Sequence, residues 1–417
     1  MALNRVSSFQ AKAPVSRWGL NGLNFFTAAA QTGFGAYVAV WLTQQHWSQT
    51  SIGLALSIGT IVGLLGQLPG GMLIDSVHRK RTTTTVALIV LGISALLLAV
   101  PASLATVWGA EVLHALASCV ITPAIAAITL SLVGHDRFSE QLGENTRFAS
   151  LGNGLAAAGL GVAAWLVSER AVFVVTALLV LPTLMALFAI RRADVLSPED
   201  EHPALLHPAD RTHWPWQIFS EPALHVFAVC TILFHLSNAA MLPLALNELT
   251  RAGEGNGIIV SVAILVPQII MAVLAPWAGG IAQKYGRRPV LLVGFAALPV
   301  RALLFAAGPA ALPLVAIQTL DAVSGIMFGL MPPLIAADLT RRNGYLNLAI
   351  GSLGLAAGLG ATFSTTLAGW MADRFGAETA FIGLAAAGAA AWAVAFIAMP
   401  ETRPGYIPRG RTPAVVV

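Results

Sequence analysis

Long apolar runs alternate with short polar turns from near the start of the chain to near its end. Twelve such runs stand out, at 18–43, 51–74, 82–100, 104–133, 147–167, 171–190, 222–246, 257–281, 289–307, 313–336, 347–369 and 378–398. Each is about 19 to 30 residues long, and about 20 residues of helix cross a hydrocarbon core about 30 Å thick. In lipid every backbone N–H and C=O must find a partner within its own segment, so runs of this length are helices. The pattern therefore predicts an all-α membrane protein with twelve spans. The one sizeable polar stretch, 191–221, carries Ser-Pro-Glu-Asp-Glu-His at 197–202 and then Pro203 and Pro208. It reads as a linker between two halves, closed by Trp214, Trp216 and Phe219 at headgroup level.

Composition agrees. Of 417 residues, 57% are hydrophobic and 10% charged, against roughly 25% charged in soluble proteins. A net charge of +4 could suggest a nucleic-acid partner, but its distribution argues otherwise. Of 23 Lys and Arg residues, 19 fall in segments that a cytoplasmic N-terminus places inside, three outside (Arg170, Arg251, Arg374), and Arg301 lies within a span. That asymmetry sets topology, with both termini cytoplasmic, and is not a polyanion-binding patch. Cys119 and Cys230, both mid-span, read as small apolar fillers, with no disulfide framework or metal site indicated. The first span, following Arg17, reads as retained and not as a cleaved signal.

The halves are related. Gly-Gly-Met-Leu-Ile-Asp-Ser-Val-His-Arg-Lys-Arg runs from Gly70 to Arg81, and Gly-Gly-Ile-Ala-Gln-Lys-Tyr-Gly-Arg-Arg from Gly279 to Arg288. Aligning Gly71 with Gly279 and Arg79 with Arg287 gives an offset of 208. Glu111-Val-Leu-His114 precedes Gln318-Thr-Leu-Asp321 by 207, and Gln31 precedes Asn238 by 207. Gly152, Gly159 and Gly161 precede Gly351, Gly358 and Gly360 by 199, which implies about eight extra loop residues between spans four and five. Six spans per half, an even number, make this a parallel repeat about an axis along the membrane normal. The domain organisation predicted is 1–190 as an N-terminal six-helix bundle, 191–221 as a cytoplasmic linker, and 222–417 as a C-terminal bundle with a short tail.

With those basic turns, the chain resembles the major facilitator superfamily over nearly all its length. The family's turn reads Gly-x-x-x-Asp-Arg-x-Gly-Arg-Arg/Lys. Gly71, Asp75, Arg79 and Lys80 match it, while Ser76 and His78 depart. In the second half Gly279, Gly286, Arg287 and Arg288 match, Lys284 is conservative, and Gln283 replaces the Asp. Pro400-Glu401-Thr402-Arg403 is similar to the family's common ending. The resemblance implies two six-helix bundles around a central cavity lined by spans 1, 4, 7 and 10. It also implies that Asp75 faces the start of the eleventh helix, where the helix dipole favours an anion. The two turns would then form a conformational latch on the cytoplasmic side.

Ionisable groups inside spans are costly and so mark function. Glu111, Asp321 and Arg301 lie six to eight residues from the outer ends of their spans, roughly 9–12 Å deep. His114 and His235 are titratable neutrals, and Gln31, Ser237 and Asn238 lie nearer the middle. Glu111 or Asp321 is the expected proton carrier, with His114 tuning it. Alternatively Arg301 pairs with Asp321 and leaves Glu111 to carry the proton. A metal site is not expected, because four ligands cannot be assembled. The Gly-rich fifth and eleventh spans read as packing surfaces or hinges. They resemble those of proton-coupled drug exporters, but the Gly-Pro pair of that group is absent. The Arg common in that group's fourth span is missing too; this span has Glu111 and no Lys or Arg.

The function predicted is secondary active transport of a small molecule by rocker-switch alternating access, as proton-coupled efflux across the cell inner membrane by a monomer without cofactor. An amphipathic or cationic substrate suits the inventory of apolar groups and two acids. The alternatives are a proton-coupled importer of an organic acid or metabolite, and a non-transporting membrane sensor or scaffold. No phosphate-binding Gly-Lys-Ser/Thr loop and no hydrolase motif is present, so neither an ATP-driven pump nor an enzyme is expected.

Overall fold

A computed structural model describes residues 14–77, 79–191, 215–252, 257–308, 311–341 and 343–403. Most of the predicted linker and the tail beyond Arg403 lie outside the described residues. Among those described, every regular element is helical. Eleven helices are long and apolar enough to cross a membrane. One of them, Leu104–Leu166, has 63 residues and would extend about 95 Å if straight, some three bilayer cores. It is broken at Gly134, whose φ of 69° and ψ of 172° suit a residue without a Cβ. The fourth span is therefore 104–133 and the fifth 135–166, giving twelve.

The break is at the first residue of the expected 134–146 loop, and the rest of that stretch is not a loop. Residues 135–146 are polar enough to end the hydropathic run, yet they continue the fifth helix inward. Ser139, Gln141 and Asn145 of this extension are buried against neighbouring spans. The eight extra residues of the repeat are thus helix, not loop.

The first span consists of Pro14–Thr32 and Ala36–Gln44, and the seventh of Pro222–Asn238 and Met241–Arg251. Both break just after the repeat-related pair Gln31 and Asn238. Gly35, with φ 67°, turns the first. At the second, the freed Ala240 N–H donates to Ser364 Oγ at 3.1 Å. The remaining spans are Gln49–Ser76, Lys80–Ala99, Glu169–Ala189, Gly257–Tyr285, Arg287–Ala306, Ala311–Leu339, Leu346–Phe375 and Ala377–Ala398. Ser48, Ser103 and Ser168 cap the starts of spans 2, 4 and 6 with their hydroxyls, satisfying N–H groups that the helix leaves free.

Each half has its own apolar core. One runs from Leu20 to Ile190. The other runs from Ile218 to Met399 and takes in Ala126, Phe138 and Leu142 from the first half. Large apolar side chains such as Leu65, Trp165, Trp277 and Ile397 point outward, as a lipid-facing surface requires.

Candidate transport cavity and its closure

Between the halves lies a cavity of about 390 Å³. Its polar side chains come from the first half alone: Asn24, Thr27 and Gln31 of span 1, Thr122 of span 4, and Asn145, Thr146, Ser150 and Asn153 of span 5. The second half contributes apolar groups from spans 8, 10 and 11, among them Met271, Phe328, Pro332, Pro333 and Leu353. No charged residue lines this cavity. Its amides are partly held. Asn145 accepts from Gln141 Nε2 at 3.1 Å and donates to Thr129 Oγ1 at 2.9 Å. Asn153 Oδ1 accepts from Thr32 at 3.2 Å, and Gln31 Nε2 reaches Ser118 Oγ at 3.5 Å.

Sequence reasoning missed Asn145 and Thr146 because the apolar run appeared to start at 147, and left Ser150 and Asn153 unremarked as single polar residues within that run. A readable signal was there. Leu142, Asn145, Thr146, Ala149, Ser150 and Asn153 recur at helical spacing and form one stripe.

The predicted intramembrane groups separate into two sets. Arg301, 1% exposed, is a hub: Nη1 donates to Asn238 Oδ1 at 2.6 Å and to Asp321 Oδ1, and Nη2 to Gln318 Oε1 at 2.7 Å. Gln318 in turn donates to the Ala263 carbonyl at 3.0 Å. One guanidinium thus joins spans 7, 9 and 10, with span 8 tied in through Gln318. Asn238 owes its place to the end of the first seventh-span helix. Glu111 lies elsewhere, 6% exposed, packed on Gly59 of span 2, with no partner for Oε1 among the described residues. His114 stacks on Phe34 of span 1, ring centroids 3.9 Å apart. His235 meets Phe328 edge-on at 4.4 Å, and its buried Nε2 has no partner among the described residues. Of the predicted group only Gln31 lines the cavity; Asn238, Arg301 and Asp321 are brought together, whereas Glu111, His114 and His235 stand apart from them.

At the face carrying the basic turns, the halves meet tightly. Asp75 Oδ1 accepts from Asn347 N at 3.0 Å and Nδ2 at 2.7 Å, and Oδ2 accepts from Leu348 N at 2.8 Å. These are the first residues of Leu346–Phe375, so a carboxylate sits on a helix N-terminus. A Cβ at Gly71 would overlap the Asn347 carbonyl; the glycine lets span 2 seat against span 11. Lys80 places its charge beside Asp75, and Arg79 is exposed.

The related pair, spans 5 and 8, closes likewise. Ser139 Oγ donates to the Gly279 carbonyl at 2.8 Å. Gln283, standing in the place of the Asp, donates to the Asp136 carbonyl at 2.8 Å. Arg287 and Arg288 stay within their own half. Arg287 forks onto Asp338 at 2.8 and 3.2 Å, both side chains 4% exposed. Glu401 accepts from the N–H groups of Arg287 and Arg288 at 2.9 and 3.0 Å. It packs over Gly286, whose φ is +100°. The partners Asn347 and Asp338 were not among the predicted site residues, since nothing local in the sequence marks them; Glu401 stood out only as part of the Pro400–Arg403 ending, with no role given to it.

Twelve spans in two halves, a cavity between them and glycine-seated contacts closing one face define a multi-pass helical transporter. The family model of the Major Facilitator Superfamily matches residues 20–342 and 227–415, and the chain belongs to that superfamily. It is 33% identical over 390 residues to an uncharacterised MFS-type transporter of Mycobacterium tuberculosis, with the same match in strains CDC 1551 and H37Rv, covering 92% of this chain and 93% of the relative. Among solved structures, it is similar to the proton:xylose symporter XylE bound to 6-bromo-6-deoxy-D-glucose (TM-score 0.73, 14% identity, 95% of this chain and 97% of that one). It is also similar to the E. coli fucose:proton symporter FucP (TM-score 0.72, 14% identity, 92% and 98%). At such identities these structures speak for the fold.

Proposed function

We propose that the chain is a secondary active transporter that carries a small molecule through this cavity by alternating access, coupled to protons and working as an exporter. The observation that supports it is a cavity between two halves closed at the basic face by separable contacts: helices seated on glycines, and one carboxylate on one helix start. By the positive-inside rule that face is cytoplasmic, and the polar linker between the related halves divides them into bundles at 1–190 and 222–417.

Glu111 is the proposed proton carrier. Asp321 already balances Arg301, whereas Glu111 keeps an unpartnered buried oxygen and can take or lose a proton without breaking an ion pair. An importer of organic acids fits less well, because recognition of a carboxylate calls for Arg or Lys and the cavity has neither.

Protein reconstituted in liposomes tests this reading. Glu111→Gln is expected to lower gradient-driven accumulation at least tenfold while counterflow persists. Wild-type accumulation in that variant removes the proton assignment, and absence of any flux favours the scaffold alternative. Accumulation driven by an acid lumen in inside-out vesicles means export; accumulation driven by an acid exterior of right-side-out vesicles means uptake.

A further inference from the structure

The cavity wall is chemically lopsided, and that constrains what it holds. All eight of its polar side chains belong to spans 1, 4 and 5. Several have unused hydrogen-bonding capacity. Thr27, 4% exposed, has a buried Oγ1 without a partner among the described residues. Thr146 and Ser150 are likewise buried residues. Asn24 uses one N–H of Nδ2 on the Leu20 carbonyl and Gln31 one N–H of Nε2 on Ser118, which leaves each side chain its carbonyl to accept and one N–H to donate. Asn153 is the reverse, its Oδ1 held by Thr32 and its Nδ2 left to donate.

Among the described residues the opposite wall offers apolar side chains. Pro332 and Pro333 have no N–H, so the carbonyls of Phe328 and Gly329, two residues that line the cavity, lack i+4 helical donors. Side-chain donors stand on the first-half wall only. A polar group buried without a partner is costly, and a charge without a counter-charge far more so.

Resting on the transport reading above, we propose that this cavity takes an uncharged, two-edged solute, with hydroxyl groups along the edge facing spans 1 and 5 and an apolar group against Phe328, Met271 and Leu353. Hydroxyls suit the site because each both donates to the surplus carbonyls and accepts from Asn153 and the threonines. The apolar edge covers the second-half wall. This narrows the sequence-based preference for an amphipathic or cationic substrate to its amphipathic half: Glu111 and Asp321 are not on the cavity wall, so a cation finds no counter-charge there.

The test is isothermal titration calorimetry on the full chain in amphipol, with phenyl β-D-glucoside as the two-edged neutral probe. Phenyl β-D-glucuronide adds a carboxylate, glucose lacks the apolar edge, and tetraphenylphosphonium is an apolar cation. The glucoside is expected to bind at least tenfold tighter than each of the other three. Asn153→Leu is expected to weaken it about tenfold, and Asn153→Gln to restore part of the loss, with unchanged melting temperatures. Equal or tighter binding of the glucuronide or the cation overturns the proposal, as does no binding of the glucoside by protein that melts cooperatively. Flux of bound probe is read separately in liposomes. A neutral probe that binds without being moved contradicts transport and leaves this proposal standing. A charged probe that is bound and moved does the opposite.

Discussion

Arg301 shows how one side chain can organise a bundle. A guanidinium in a spanning helix is costly unless its charge and donors are met, and here three acceptors from two neighbouring spans converge on its two terminal nitrogens, while the buried Nε has no partner among the described residues. Arg301→Leu would strand Asp321, Asn238 and Gln318 together. Breaking a buried pair from one side costs about 3–5 kcal/mol. Asp321 retains 28% side-chain exposure, so the lower end of that range applies. A clear drop in melting temperature is expected for Arg301→Leu, and a smaller loss than the sum of the single changes for Arg301→Leu with Asp321→Leu. Additive losses would show that the two groups do not act as a pair.

Helix ends and breaks carry the next layer. The start of Leu346–Phe375 has its free N–H groups satisfied by Asp75 from the other half, so a capping interaction doubles as a contact between bundles. Asp75→Asn keeps the shape and removes the charge, a change of about 0.3–2 kcal/mol. Spin labels at Leu65 and Leu359 are expected to report a separated population several-fold larger in that variant; an unchanged distance distribution would exclude a latch role. Gly134 divides spans 4 and 5 at positive φ. At ψ 172° that is a region essentially reserved for glycine, so Gly134→Val should cost about 1–3 kcal/mol, read as a lower melting temperature.

Between the two bundles, closure at the basic face depends on backbones approaching without intervening side chains. Gly351 sits against the Gln67 carbonyl much as Gly71 sits against that of Asn347. Gly351→Val puts a side chain against the Gln67 carbonyl and is therefore expected to hold the two helices apart, read as a several-fold larger separated population between spin labels at Leu65 and Leu359 and as slowed flux. Wild-type distances and flux in that variant would contradict closure at this contact.

Much was legible before any fold was known. Span number and the related halves follow from hydropathy and from repeated motifs because lipid screens each helix individually: an apolar run of this length must cross. The opposed pair Arg301 and Asp321 could be anticipated for the same reason, as two charges that lipid would not accept alone. Facing was not legible. Whether Glu111 looks toward the cavity or toward Gly59 depends on how the fourth helix is rotated, and hydropathy carries little information on rotation when most faces are apolar. The polar wall from Asn145 to Asn153 was hidden because residues 135–146 resemble a loop in composition while neighbouring helices supply the partners that keep them helical and buried. Span count is thus a contest between one segment and its solvent. The cavity and its closure are contests among segments, settled by glycine-seated packing and by hydrogen bonds between residues up to 273 positions apart.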